Sequence, residues 1–253
     1  MITVTGINIA PVKSLGLQNP TCVTVGPRGI KEDRRFHLVD SSQKLVTQRE
    51  IFTLVQIEAR YDLPSSYLEL NFPDGKHVAD KIILGEKIDT IFWGRSVIGN
   101  LVVGPFNRAL SSFCGADIRL ISSIHPGQCQ DEYPISILSE PSLLMPMVLP
   151  GTPNPLDSRR FRPTFLLSGS LPHEEDKWLS RSILIGDSLQ LMVKSRDPRC
   201  AITTHHPDTG SPDLDTLRLI LEYRPADRPY LGVYAEVERP GIVSLGDVVR
   251  IIS

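Results

Sequence analysis

The sequence predicts a mainly β protein with a few short helices, on three observations. Apolar stretches are short and rich in β-branched residues, as in Ile2-Thr3-Val4-Thr5 and Leu189-Gln190-Leu191-Met192-Val193, which suits strands better than helices. Proline (21) and glycine (18) are frequent while aromatic residues make up 6%, so turns recur along the chain. A Gly-acid pair precedes an apolar run at Leu84-Gly85-Glu86-Lys87-Ile88, Ile185-Gly186-Asp187-Ser188-Leu189 and Leu245-Gly246-Asp247-Val248-Val249. That pattern is expected of a tight turn or bulge feeding a barrel strand.

The elements follow in order. The strand opening at Ile2 runs through Ile7 and Ile9 into Pro11-Val12-Lys13-Ser14. Phe36 to Val39 and Leu45 to Thr47 flank the polar Asp40-Ser41-Ser42-Gln43-Lys44, a hairpin loop. Strands are expected at Leu54 to Ala59, Tyr67 to Phe72 and Lys87 to Phe92, with Pro73-Asp74-Gly75 as a turn. Asn107 to Cys114 has helical spacing, with Asn107 as the expected cap and Gly115 as the stop. Ile118 to Ile121 is a strand, and the polar stretch from Pro126 to Glu132 reads as a linker that divides the chain into domains 1–125 and 126–253. Beyond it, Pro134 to Leu138 and Thr164 to Leu167 are strands, and Ser139-Glu140-Pro141-Ser142 starts a helix with proline in its first turn. Leu214 to Tyr223 is the best amphipathic helix, burying Leu214, Leu217, Ile220 and Leu221.

Composition excludes several classes of function. With 253 residues the chain can bury a full core. Its net charge of −2 gives no general attraction for nucleic acid or membrane, and aromatic residues do not interleave its arginines. Its densest apolar run, Ile135 to Leu149, is interrupted by Glu140, Pro141 and Pro146, too early for a membrane helix of about 20 residues. Cys22, Cys114, Cys129 and Cys200 lack CxxC spacing and the chain opens without a secretory pattern. Reduced thiols in a cytoplasmic setting are therefore expected. No GxSxG, P-loop, GxGxxG or HExxH motif occurs.

The chemistry concentrates at Arg196-Asp197-Pro198-Arg199-Cys200, followed by Thr203-Thr204-His205-His206 and the turn Pro207-Asp208-Thr209-Gly210. A thiol near guanidinium groups is favoured as thiolate, the nucleophile and soft-metal ligand. Pro198 limits how far it can wander, and Asp208 is expected to make an Asx-type bond inside its own turn. A small buried hydrophobe at a strand end is the plain alternative for a lone cysteine. Further cations stand at strand ends, in Lys13-Ser14, Asp33-Arg34-Arg35, Thr47-Gln48-Arg49 and Arg159-Arg160-Phe161-Arg162-Pro163. If Arg160-Phe161-Arg162 is extended, both guanidinium groups share one face and could grip an oxyanion. A solvated edge strand with snorkelling side chains would carry the same residues.

Taken together, these motifs resemble the MOSC (molybdenum cofactor sulfurase C-terminal) family, in the branch of the amidoxime reducing components and their bacterial relatives. Pro11-Val12-Lys13-Ser14, Gly29-Ile30 with Asp33-Arg34, and Thr47-Gln48-Arg49 resemble the N-terminal partner domain. Tyr133-Pro134, Leu138-Ser139-Glu140, Ser142-Leu143, Arg160-Phe161-Arg162-Pro163, Arg199-Cys200 and Pro207-Asp208-Thr209-Gly210 resemble the MOSC half, with Gly232-Val233-Tyr234, Pro240-Gly241 and Gly246-Asp247 closing it. Any one motif is weak, and their order along nearly the whole chain is what is specific.

The resemblance implies an antiparallel β-barrel MOSC domain with an N-terminal β-rich domain whose first strand can join the barrel. It implies a molybdenum-molybdopterin cofactor with Cys200 as metal ligand. Lys13, Ser14, Arg34, Arg49, Arg160, Arg162, Thr164 and Tyr234 are then cofactor-holding residues, and Cys200 and Arg199 the catalytic ones. Thr164 stands where the family usually has Asn, and a hydroxyl cannot reproduce an amide's donor-acceptor pair. The implied activity is reduction of small N-hydroxylated compounds, such as amidoximes and hydroxylamines, by oxygen transfer to the cysteine-held molybdenum. Electrons would come from a separate donor resembling cytochrome b5 and its reductase, a flavoprotein or a ferredoxin, and no membrane anchor is expected. A sulfur carrier using a persulfide on Cys200 and a non-catalytic cofactor-binding protein are the alternatives, and the resemblance also brings the family's association with pyridoxal phosphate.

Overall fold

A computed structural model describes residues 1–144 and 155–252. The end of the apolar run from Ile135 to Leu149 lies outside the described residues. The first half carries β1 (Ile2–Ile7), β2 (Cys22–Gly26), β3 (Gly29–Ile30), β4 (Phe36–Val39), β5 (Leu45–Val46), β6 (Glu58–Asp62), β7 (Tyr67–Asn71), β8 (His77–Lys81), β9 (Ile83–Phe92) and β10 (Arg95–Val103), then α1 (Phe106–Cys114) and β11 (Arg119–Ser123). The second carries β12 (Ile135–Ser139), α2 (Glu140–Leu144), β13 (Phe165–Ser168), β14 (Ser182–Ile185), β15 (Leu189–Pro198), α3 (Thr216–Tyr223), β16 (Tyr230–Arg239), β17 (Gly241–Ser244) and β18 (Val248–Ile251).

Seven strands close a barrel in the order β1-β13-β12-β16-β15-β14-β18. β1 comes from the start of the chain and sits between β13 and β18. The barrel departs from a purely antiparallel one at β12 and β13, which run parallel. A parallel pair needs a crossover, supplied by the chain between Ser139 and Phe165 that contains α2. Alternating strand residues fill the interior, among them Val4, Phe165, Leu191 and Val233, joined by Trp178 from the 3₁₀ helix Glu174–Trp178, each at most 2% exposed.

A second sheet, β5-β4-β11-β10-β9, is curled so that its edges meet at a bridge between Lys44 and Ile91. Its core of Phe36, Leu38, Leu68 and Leu120 includes residues from the small sheet β6-β7-β8. In a third sheet β17, from the C-terminal half, pairs with β2. The two halves are thus interleaved.

Several elements differ from expectation for identifiable reasons. Leu54 to Ala59 is not one strand: Phe52–Gln56 is a 3₁₀ helix and β6 begins at Glu58. Its three-residue repeat puts Leu54 and Ile57 into the core together, both fully buried. Asn107 does not cap α1, whose N-cap is Pro105; its side chain donates to the Val102 carbonyl and accepts from the Leu120 amide, tying helix to sheet. Gly115 does stop that helix, with φ 65°. α3 buries Thr216 and Ile220 while Leu214 lies before its start, and Leu217 and Leu221 flank the buried stripe half-covered. Of the three Gly-acid pairs, two are turns, with Gly186 at φ 60° and Gly246 at φ 88°. The third, Gly85-Glu86, lies where the β9–β10 register shifts.

Candidate functional site

A cleft of about 430 Å³ opens where the barrel meets the N-terminal half. Lys13 and Ser14 follow β1, Arg34 precedes β4, and Arg49 follows β5. Arg160, Arg162 and Thr164 precede β13, Arg199 and Cys200 follow β15, and Tyr234 lies on β16. All ten residues singled out in the sequence line this one cleft. Ser14 (φ 73°), Arg34 (49°), Trp93 (52°) and Arg162 (49°) adopt left-handed backbone in its wall. Such geometry costs a non-glycine residue on the order of 1 kcal/mol and gathers where side chains must be aimed.

Four of the six cations are neutralised by neighbouring carboxylates. Lys13 Nζ donates to Asp131 at 2.7 Å and to the Cys129 carbonyl at 3.1 Å. Burial lowers its pKa, with Arg34 adding to the effect against Asp131. Burial raises Asp131, but Lys13 and Arg34 outweigh it and hold the carboxyl down to about 2. Arg34 pairs with Asp33; burial opposes its charge, yet Asp33 and Asp131 raise its pKa. Arg160 is gripped by Asp213 through two bonds of 2.7 and 2.6 Å and also donates to the His205 carbonyl.

Arg162 differs. It donates to the Leu15 carbonyl at 2.7 Å and has no ion pair among the described residues. Burial, reinforced by Arg34, outweighs the attraction of Asp33 and Asp131 and pushes it down to about 10, so it stays charged at neutral pH while those two carboxylates are already engaged by Arg34 and Lys13. Among the described residues Arg49 also has no carboxylate in an ion pair, and it lies over the Trp93 ring, 4.2 Å from its centroid.

The shared face expected of Arg160 and Arg162 does not exist as drawn. Ser158–Arg160 is a 3₁₀ helix, Phe161 is helical in backbone, and Arg162 turns left-handed. Both arginines reach the cleft, but Arg160 is already occupied by Asp213. The arginines bracketing Cys200 likewise serve the loop. Arg196 stacks on Tyr230 at 4.0 Å. Arg199 donates to the Leu231 and Phe161 carbonyls and pairs with Asp197 at 2.8 Å, leaving its Nη2 buried without a partner. Neither makes a hydrogen bond to the thiol.

Cys200 is half-buried and caps the 3₁₀ helix Ala201–Thr204; its carbonyl accepts from the amide and hydroxyl of Thr203, both at 3.0 Å. Asp208 makes no Asx bond. Its carboxylate takes Arg159 at 2.6 Å, and the turn is held instead by Gly210 N donating to the His206 carbonyl. Thr164 is buried, its hydroxyl accepting from the Ser136 amide.

Sequence reading missed Trp93, Asp131, Glu132 and Asp197 as wall residues. Asp131 and Glu132 sit in the stretch read as linker, where their acidity beside Lys13 was invisible without the fold. Trp93 occupies the tip of the β9–β10 hairpin, and its indole N–H donates to Asp131.

A closed β-barrel whose mouth carries a cationic cleft with one accessible thiol defines the class. Residues 124–250 match the MOSC domain and residues 1–97 the MOSC N-terminal beta barrel domain. The chain belongs to the MOSC family. It is 27% identical to mitochondrial amidoxime reducing component 2 of Rattus norvegicus, over 98% of this chain and 82% of that protein. Over 48% of this chain and 38% of the relative it is 33% identical to mitochondrial amidoxime-reducing component 1 of Homo sapiens. The crystal structure of the YUAD protein from Bacillus subtilis aligns over 98% of this chain and 94% of that one, with TM-score 0.44 and 15% identity.

The family is associated with molybdenum cofactor binding, and the cleft fits such a group. Arg162 with no ion pair of its own among the described residues, the orphaned Arg199 Nη2 and Arg49 suit an anionic pterin phosphate, and one thiolate suits a soft metal. Among the described residues no three His, Cys, Asp or Glu side chains gather as a ligand set. Cys200 would offer such a group one thiolate from the cleft wall. Pyridoxal phosphate fits poorly, because Lys13 is engaged by Asp131 instead of being a free amine. Among the described residues no helix is long and apolar enough to cross a membrane.

Proposed function

We propose that the cleft holds a molybdenum-molybdopterin cofactor and that the protein reduces small N-hydroxylated compounds such as amidoximes and hydroxylamines. The observation that carries this reading is Arg162, a guanidinium in the cleft without a carboxylate partner, in the same wall as the accessible Cys200. Burial disfavours its charge more than the already engaged Asp33 and Asp131 favour it, a balance that an anionic ligand would reverse. When bound, the cofactor supplies the two-electron chemistry at molybdenum. Cys200 anchors it, Arg162, Arg49 and Arg199 neutralise its phosphate, and Lys13 and Arg34 are held in place by Asp131 and Asp33. Trp93 and Tyr133 line the same cleft and would be walls for the substrate.

Electrons come from a separate carrier, such as cytochrome b5 with its reductase, a flavoprotein or a ferredoxin. The setting is cytoplasmic, which the four unpaired cysteines suit. A persulfide carrier needs only the accessible thiol and has no use for an Arg162 left without a direct ion pair, so the reductase reading is preferred. The test is benzamidoxime reduction with reduced viologen as donor. Turnover by the wild type that disappears in Cys200→Ser is expected, and equal rates in the two proteins would refute the proposal.

A further inference from the structure

We propose that Asp197, hydrogen-bonded by Tyr234, is the group that hands a proton to the departing oxygen in the reaction proposed above. The inference rests on that functional reading but concerns residues it leaves without a chemical task.

The geometry begins with β15. Its pairing with β16 shifts register between Arg196 and Pro198, and such an irregularity re-aims a side chain. Asp197 lies at the shift, in the wall of the same cleft as Cys200 three residues later, with its side chain only 3% exposed. Tyr234 reaches across from β16 and donates its phenolic hydrogen to the carboxylate. Arg199, from the loop after the strand, pairs with the other side at 2.8 Å. Asp131 and Glu132 face it from the loop before β12.

These groups pull in opposite directions. Burial raises the carboxyl's pKa most, Asp131 and Glu132 add to the rise, and Arg199 and Tyr234 oppose it, leaving it at about 6. Burial and the adjacent Asp197 raise Tyr234 itself far beyond neutrality, so it remains a phenol and a permanent donor. A carboxyl poised near working pH can both give and regain a proton. A carboxyl used only as Arg199's counter-ion would gain nothing from the two further carboxylates that weaken its charge.

The reduction consumes what this arrangement offers. R–NH–OH with two electrons and two protons gives R–NH2 and water. The N–O bond breaks, and both electrons come from the separate one-electron carrier protein in two deliveries. Asp197 protonates the leaving hydroxyl to form water and becomes a carboxylate, held by Tyr234 and Arg199. A solvent proton completes the amine and another restores Asp197 by way of the cleft that it lines.

The test uses cofactor-loaded protein with reduced viologen as electron source, comparing wild type, Asp197→Asn and Tyr234→Phe. Wild-type kcat should be flat below about pH 6 and fall above it, because the donor is the protonated form. Asp197→Asn should lower kcat roughly 100-fold, with KM and molybdenum content kept and that pH limb lost. Tyr234→Phe removes a bond that favours the carboxylate, so the limb should move to higher pH. Infrared titration supplies a readout independent of turnover, namely a protonated-carboxyl band with the same midpoint that is missing from Asp197→Asn.

Wild-type kcat and pH profile in Asp197→Asn, or no carboxyl band titrating with that midpoint, overturns the assignment. Should Asp197→Asn lose its cofactor, an unshifted Tyr234→Phe profile overturns it. Absence of Cys200-dependent turnover in the wild type sinks the functional reading instead, while the infrared band still reports on the carboxyl.

Discussion

His37 shows how one buried side chain supports the site from behind. Thr90 Oγ1 spends its hydrogen on the Val97 carbonyl at 2.7 Å, so it must accept from His37 Nε2 at 3.1 Å. His37 Nδ1 is then an acceptor and takes the Cys129 thiol hydrogen at 3.2 Å, while Ser123 Oγ donates to that sulfur at 2.9 Å. The chain fixes Cys129, whose carbonyl receives Lys13, and burial raises the Cys129 pKa so that it stays a thiol. Burial, with Lys13 adding, also pushes His37 down to about 3. The unfolded chain therefore binds this proton near pH 6.5 while the folded one refuses it until about pH 3. His37 contributes stability fully present above pH 6.5 and lost as the pH falls through that window, by up to about 1.4 kcal/mol per pH unit. Urea unfolding across that range should show a shallower loss in His37→Gln than in the wild type; parallel curves would contradict this. Arg162 gives a prediction of opposite sign for fold and function. Arg162→Gln should stabilise the cofactor-free protein by about 1 kcal/mol, by removing a cation whose burial outweighs its carboxylate neighbours, yet lower the cofactor content of the purified holoprotein. Calorimetry and pterin assay read the two effects separately.

At the scale of elements, the loop carrying Cys200 is positioned by contacts far from it in sequence. Gly210 sits at φ 77°, and a Cβ there would collide with the Phe52 carbonyl. Gln56 also donates to the Thr209 carbonyl at 3.0 Å. Gly210→Ala should therefore destabilise the protein by about 2 kcal/mol and make Cys200 react faster with a thiol reagent, as the loop is prised from the N-terminal half. Unchanged melting temperature and thiol reactivity would refute this coupling. Residues with a strong local signal were legible. The hairpin around Asp40 to Lys44 closes as its polar loop requires, Asp40 accepting from the amides of Ser42 and Lys44. Gly115 ends α1, and the apolar alternation of β15 enters the barrel. Short 3₁₀ segments were not legible, because Leu54 and Ile57, or Arg160 and Phe161, look extended until a core demands a three-residue repeat. Exposed strands such as β8 and much of β10 carry little apolar alternation and are fixed by their partners.

On the scale of the molecule, all ten residues picked out in the sequence converge because the fold interleaves its two halves. What the sequence could not supply was their pairing. Whether Arg160 or Arg162 is free for an anion depends on Asp213, 53 residues beyond Arg160, and the acidic wall of Asp131, Glu132 and Asp197 appears only on folding. The interleaving also predicts that residues 126–252 alone cannot close the barrel, since β1 supplies the staves between β13 and β18 and β2 pairs with β17. That fragment should lack the cooperative urea transition of the whole chain; a sharp transition would contradict the closure argument. The central claim, that the cleft is built around an anionic cofactor anchored by Cys200, is tested most directly by metal and pterin analysis of wild-type and Cys200→Ser protein from a host that makes the cofactor. Molybdenum and pterin near one per chain in the wild type, with molybdenum lost from Cys200→Ser, is the predicted result. A wild type carrying neither, with a persulfide on Cys200, would contradict it.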